Sequence, residues 1–203
     1  VAELGMPVYF SFGNHDMVDP QLVAGRYGPF YYSVKVDDDL HIILDGNQHN
    51  WNIEEKQFEF LRNTIQFLPE VENIFIYVHQ MLWWSPDSIF QHVKTNSLVG
   101  RNEDSNFWTE VEPLLNYSKA PFVTRENQQV YFFAGDVGAT WYSPGFMYHA
   151  YDNIHLIASG MGHESEENFI VVESNTDGSV SFELIALTGD RNRLGRLEDF
   201  ILP

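Results

Sequence analysis

The chain has 203 residues, 44% of them hydrophobic and 15% aromatic, enough to bury a substantial core in one globular domain and unlike a disordered composition. Lys and Arg number 11 against 29 Asp and Glu, so the formal net charge of -18 repels nucleic-acid backbones and anionic membranes and argues against a nucleic-acid surface. There is no cysteine, which excludes disulfides, thiolate metal sites and a Cys nucleophile and slightly favours an exported chain.

No run approaches the ~18 apolar residues that cross a bilayer, and no signal peptide is visible. The first residue is Val1, and a strand comes almost at once, so residues 1–203 read as a single, partial domain entered from the inside. Residues 1–5 read as a helix end stopped by Gly5. The apolar run at residues 7–12 reads as a strand, ending in the turn Gly13-Asn14-His15-Asp16. Gly13 there allows φ > 0 or a close main-chain approach. Asn14 offers a neutral oxygen ligand, His15 a group titrating near neutrality, and Asp16 a carboxylate able to orient it. A short helix is expected over 20–27, then a hairpin of strands at 30–36 and 40–44 across Asp37-Asp38-Asp39. That hairpin ends at Asp45, which either faces a site or caps the next turn of chain.

Phe58, Leu61, Ile65 and Leu68 share one face of an amphipathic helix at 54–67. Residues 73–78 form a nearly continuous apolar strand that ends at His79. A long excursion runs from Met81 to Asn106; its Trp83-Trp84 pair suits a packing anchor or a substrate platform. A helix is expected at 107–116, overlapping the glycosylation sequon Asn116-Tyr117-Ser118. The strand at 130–134 ends in Gly135-Asp136-Val137-Gly138. Strand pairs come next at 146–151 with 155–159 and at 169–174 with 180–187, and the last 14 residues or so read as charged surface.

Three strand ends thus carry Asn14 with His15, His79, and Asp136. Strand ends of one sheet lie side by side, so residues distant in sequence can converge there. An amide, an imidazole and a carboxylate around one point suit zinc, manganese or iron. An acidic chain also needs a cation to hold an anionic substrate.

At these residues the sequence resembles the calcineurin-like metallophosphoesterases. The strand ending in Gly13-Asn14-His15-Asp16, the strand ending in His79, and the Ala134-Gly135-Asp136-Val137-Gly138 turn carry the resemblance. Tyr27-Gly28-Pro29-Phe30-Tyr31-Tyr32-Ser33, Leu44-Asp45 and Ser159-Gly160-Met161-Gly162 extend it over nearly the whole chain. The resemblance implies an α/β (α+β) fold: a four-layer αββα sandwich of two mixed sheets, here lacking its first strands. It implies hydrolysis of a phosphate-ester substrate by a metal-activated water at a dinuclear site of divalent metal ions (Mn, Zn or Fe). It assigns Asn14, His79 and Asp136 to the second metal, His15 to the leaving-group oxygen and Asp16 to orienting His15.

Two departures stand out. The Asp-x-His and Gly-Asp motifs, which supply the first metal's ligands and the bridging carboxylate, are expected ahead of Val1, which makes this chain a fragment. The usual final Gly-His-x-His is Gly135-Asp136-Val137-Gly138, so Gly138 stands where a first-metal His is expected. His149, His155 and His163 are candidates for that role, each also readable as an ordinary core or surface histidine. The alternative reading is a catalytically inactive phosphoesterase-like scaffold or binding domain.

Overall fold

The computed structural model describes residues 5–67, 71–86, 88–95, 97, 104–121, 125, 127–138, 145–160, 167–187 and 193–202. Its centre is a six-stranded mixed sheet, with β1 (Tyr32–Val36), β2 (Asp39–Ile43), β3 (Asn73–Val78), β4 (Gln129–Ala134), β5 (Phe146–Tyr151) and β6 (Ile154–Ser159) in the order β1-β2-β3-β4-β6-β5. The inner strands β2, β3, β4 and β6 run parallel, while β1 and β5 close the edges as antiparallel hairpin partners. The sequence accounts for this order. The near-continuous apolar runs of β3 and β4 bury both faces and take the middle. The hairpins turn at Asp37 (φ 50°) and Asp152 (φ 50°), two residues of a type that tolerates the left-handed region.

Period-2 alternation divides these strands between two cores. Ile74, Ile76, Val130, Phe132, Ile154 and Leu156 face a layer formed by α2 (Glu55–Phe67), Trp83, and the segment Phe107 to Leu115. Phe75, Tyr131 and Ile157 face a second, three-stranded sheet of β7 (Asn168–Ser174), β8 (Val180–Ala186) and β9 (Arg193–Gly195), through Phe182 and Leu184. On that second face a row of near-parallel rings crosses five strands. His41 stacks on Phe75 at 5.0 Å, Phe75 on Tyr131 at 5.0 Å, Tyr131 on His155 at 4.4 Å and His155 on Tyr148 at 6.0 Å. Cross-strand aromatic pairs of this kind stabilise sheets beyond the area they bury.

The expected α+β class holds, and the structure sharpens or corrects its parts. The helices at 20–27 and 54–67 form as α1 (Pro20–Tyr27) and α2, and Asp19 caps α1 by accepting from the Leu22 N–H at 3.0 Å. The second sheet is antiparallel among the described residues, not mixed. Residues 7–12 join no ladder. Phe10 and Phe12 stack on each other at 5.9 Å, as i, i+2 side chains of an extended chain do, but the main chain bonds to side chains instead. The Phe10 N–H donates to Tyr32 Oη at 2.9 Å, the Tyr32 hydroxyl donates to the Phe10 carbonyl at 3.2 Å, and Asn47 Nδ2 donates to the Phe12 carbonyl at 2.9 Å. The apolar run therefore reflects an aromatic cluster with Tyr27 and Phe30 rather than strand pairing.

The expected helix at 107–116 divides into a π turn, Phe107–Val111, and one α turn, Glu112–Leu115, with Pro113 at the junction. The last residues are not simply surface. Leu197 is fully buried, the Phe200 ring meets Phe146 edge-on at 4.3 Å, and the Leu202 N–H donates to the Tyr148 carbonyl. The Trp83-Trp84 pair is core, 0% and 8% exposed, so the anchor reading holds over the platform. Most of the expected helix end at residues 1–5, and His163, lie outside the described residues.

Behind Phe107–Leu115 sits a buried polar network. Glu112, fully buried, accepts from Lys119 Nζ at 2.6 Å, Asn116 Nδ2 at 2.8 Å and the Tyr151 hydroxyl at 3.3 Å. A buried carboxylate with both oxygens engaged is tolerated; one partner removed leaves it facing the desolvation cost. Lys119→Ala is expected to destabilise the fold by about 2–3 kcal/mol in chemical denaturation, at or below the roughly 3–5 kcal/mol of breaking a fully buried pair, because Lys119 itself is half exposed.

Candidate functional site

Three turns meet at one end of the parallel strands, where α/β sheets commonly place ligands. The first comes after residues 7–12: a 3₁₀ turn, Asn14–Val18, in which the Asp16 N–H donates to the Gly13 carbonyl at 3.1 Å and Asp16 Oδ2 accepts from the Gly13 N–H at 2.9 Å. The second is the end of β3, which delivers His79. The third is the end of β4, which delivers Asp136; the Gly135 N–H donates to the His79 carbonyl at 3.0 Å and ties the last two together.

His79 Nε2 is the meeting point. It lies 3.2 Å from Asn14 Oδ1 and 3.5 Å from Asp136 Oδ1. The Asp136 carboxylate is buried, and its other oxygen accepts from the Ser97 N–H at 3.1 Å. Burial pushes the His79 imidazole below its ordinary value; the Asp136 and Asp16 carboxylates pull the other way, and His15 adds to the lowering. A neutral imidazole with a free lone pair is the ligating form.

Gly13 turns out to be needed for space, not for a left-handed backbone. Its φ of -87° is open to any residue, but a Cβ there would sit 2.8 Å from His79 Cε1 and Nε2. Gly13→Ala is expected to push the His79 ring off Asn14, at a cost of about 1–2 kcal/mol by overpacking. A lowered melting temperature together with shifted His79 imidazole NMR signals would be the result; unmoved imidazole signals would show that the ring tolerates the methyl.

His15 and Asp16 are both exposed beside this point. Asp16 stabilises its own turn, and among the described residues no hydrogen bond joins it to His15. His149 and His155 are not at the site. His149 packs edge-on against Phe90 at 5.5 Å, while His155 is held between the Tyr148 hydroxyl at 2.8 Å and Gln129 Oε1 at 3.0 Å. Gly138 has φ +96°, and its N–H donates to the Lys94 carbonyl, so its backbone calls for glycine and supplies no donor side chain.

The site also has supports the motifs did not reveal. Asp45 accepts from the Asn47 N–H, Asn47 Nδ2 and Gln48 Nε2, so its carboxylate organises the turn that follows β2. Asn47 in turn holds the Phe12 carbonyl and accepts from Gln80 Nε2 at 2.7 Å, fastening the first turn to the end of β3. The polar run from Asp45 to Gln48 was a sequence signal for this; nothing in the sequence marks Ser97.

Ligands at 2.0–2.2 Å from one ion stand about 3.0–3.5 Å from each other in octahedral or tetrahedral arrangements. The separations around His79 Nε2, 3.2 and 3.5 Å, fit that range. Among the described residues no cluster of three or more His, Cys, Asp or Glu could hold a metal, so the trio depends on the Asn14 amide. Two of the trio's three separations are thus compatible with one shared ion, and among the described residues no comparable donor set stands beside it for a second. No protein-family model matches the chain, and no curated protein matches it.

Proposed function

We propose that the chain carries the second-metal half of a metal-dependent phosphoesterase site, within a metallophosphoesterase-like sandwich. The observation that supports it is the convergence of Asn14 Oδ1 and Asp136 Oδ1 on His79 Nε2. Asn14, His79 and Asp136 would hold the ion, manganese, zinc or iron by the hardness of this mixed set. The bound ion supplies a water of lowered pKa and a counter-charge for phosphate oxygens. The residues themselves do the rest. Asp136, held by the Ser97 N–H, would present its other oxygen to the ion, and His15, exposed on the adjoining turn, would give a proton to a departing alkoxide.

The test is binding of Mn2+, Zn2+ and Fe2+ by titration, with turnover of p-nitrophenyl phosphate and bis(p-nitrophenyl) phosphate. His79→Ala and Asn14→Ala are expected to weaken metal binding at least tenfold and to reduce any turnover in parallel, with the fold retained by circular dichroism. Metal binding indifferent to both substitutions sinks the reading.

A second reading rests on Gly138, which brings no donor where the family pattern has histidine. It is a phosphoesterase-like scaffold that binds a ligand without turnover. It predicts a cation or phosphate bound at His79 with no hydrolysis, and biological activity untouched by His15→Ala.

A further inference from the structure

The three side chains around His79 Nε2 come from segments of unequal support. His79 and Asp136 end β3 and β4, which pair along their whole length, Asn73 to Val78 against Gln129 to Ala134. Asn14 follows residues 7–12, which join no ladder. Among the described residues, residues 7–16 are hydrogen-bonded to the remainder of the chain by the Phe10–Tyr32 pair, by Asn47 Nδ2 on the Phe12 carbonyl, and by the Asn14–His79 contact itself. Apart from that contact, the Asn47 bond is the support nearest Asn14.

Asn47 is engaged at every polar atom of its side chain. Nδ2 donates to the Phe12 carbonyl and to Asp45 Oδ1, each at 2.9 Å, and Oδ1 accepts from Gln80 Nε2 at 2.7 Å. A carboxylate only accepts, so Asp45 fixes which way the Asn47 amide faces. Asp45 is clamped in turn by Gln57 of α2: its N–H donates to Gln57 Oε1 at 2.7 Å and its carbonyl accepts from Gln57 Nε2 at 3.0 Å. The path from Asn14 therefore ends on a helix packed into the core.

The other branch reaches His79 through its chain neighbour. Gln80 is 1% exposed, its Nε2 is spent on Asn47, and its Oε1 has no partner among the described residues. A buried amide oxygen left unpaired costs the fold stability that an unbranched apolar side chain would not. Gln80 gives in exchange the one donor that holds Asn47 Oδ1, with the Asn47 amide turned toward Phe12. Polar groups that orient ligands from behind in this way tune the affinity of a metal centre.

We propose that Asn47 is the positioning residue of this site: through Phe12 on one side and Gln80 on the other it sets the separation of Asn14 Oδ1 from His79 Nε2, and with it the affinity for the ion. The proposal rests on the reading of Asn14, His79 and Asp136 as ligands of one ion.

The experiment uses the 203-residue chain, titration with Mn2+ alone, and NMR of the His79 imidazole before metal is added. Asn47→Asp keeps the shape of the side chain and removes both donors; Mn2+ affinity is expected to fall at least about tenfold, and the imidazole signals to shift in the metal-free chain. Gln80→Met is expected to keep or raise the denaturation midpoint while lowering Mn2+ affinity at least about threefold, a split that a purely structural residue would not produce. Lys119→Ala, which lowers stability through the Glu112 network, is expected to leave the affinity within about twofold. An Mn2+ affinity within about threefold of the natural chain in Asn47→Asp overturns the proposal, as does an equal fall in Lys119→Ala. Where Asn47→Asp does not fold, Gln80→Met decides, and unchanged affinity there overturns it too. A natural chain that binds no Mn2+ defeats the reading of the site instead; the imidazole signals then judge the positioning alone, and signals unmoved by the substitutions at 47 and 80 overturn it.

Discussion

Replacing Phe132 with Ala is expected to destabilise the protein by about 4 kcal/mol, measured as a shifted midpoint in chemical denaturation. Phe132 lies in the middle of β4, fully buried, with Phe107 at 5.1 Å and Trp83 at 6.4 Å around its ring. The sheet below and the Phe107 to Leu115 segment above are fixed by their own hydrogen bonds, so the walls have little freedom to close on the cavity. A small domain is stable by only about 5–15 kcal/mol, so the variant would lose a large share of it. Phe133, next along the strand, points to the other face and is half-buried; Phe133→Ala is expected to cost clearly less. A loss below about 1 kcal/mol for Phe132→Ala would mean that the two layers are not packed as described.

Stability is expected to fall as pH drops from about 6.5 toward 4, and His155 is the main cause. Burial holds its imidazole down to about 4, well below the ordinary histidine value of 6.5. Above 6.5 the ring is neutral in both the folded and unfolded chain, and its contribution is fully present. Between 6.5 and 4 the unfolded chain binds a proton that the folded chain refuses, so each pH unit removes up to about 1.4 kcal/mol, on the order of 3 kcal/mol in all. Below 4 the loss is complete. His41 and His149 are lowered by burial as well and add loss in the same direction. The measurement is denaturation at pH 7 and pH 4.5 for the natural chain and for His155→Gln, which keeps a polar group able to meet Gln129 without titrating. An equal pH loss in both proteins would remove His155 from the account.

How legible each element was in the sequence depends on how that element is stabilised. β3 and β4 were readable because strands buried on both faces need unbroken apolar runs, and α2 because its apolar face repeats at helical spacing. The convergence of His79 and Asp136 was foreseen because each ends an apolar run and neighbouring parallel strands bring their ends together; Asn14 joins them on a segment that pairs with no strand among the described residues and is held there through Asn47. Residues 7–12 misled because aromatic side chains packing on one another produce the same run as a strand that pairs. Leu197 and Phe200 misled in the opposite sense: charged neighbours masked two residues that fill the second core. The orientation of Asp16 was beyond reach, since a carboxylate three residues after a turn glycine serves the turn's N–H as readily as a neighbouring imidazole. Hydrogen bonds such as Ser97 to Asp136 depend on a loop folding back across 39 positions, for which no local pattern exists.

The buried network at Glu112 bears on how this protein can be decorated. Asn116 opens an Asn-Tyr-Ser sequon, yet it is fully buried and its amide nitrogen donates to Glu112 at 2.8 Å and to Asp152 at 2.9 Å. A sugar bonded to that nitrogen would take the place of one of the two hydrogens and stand where Asp152 now packs. A glycan at this position is therefore incompatible with the folded arrangement around Glu112 and Asp152.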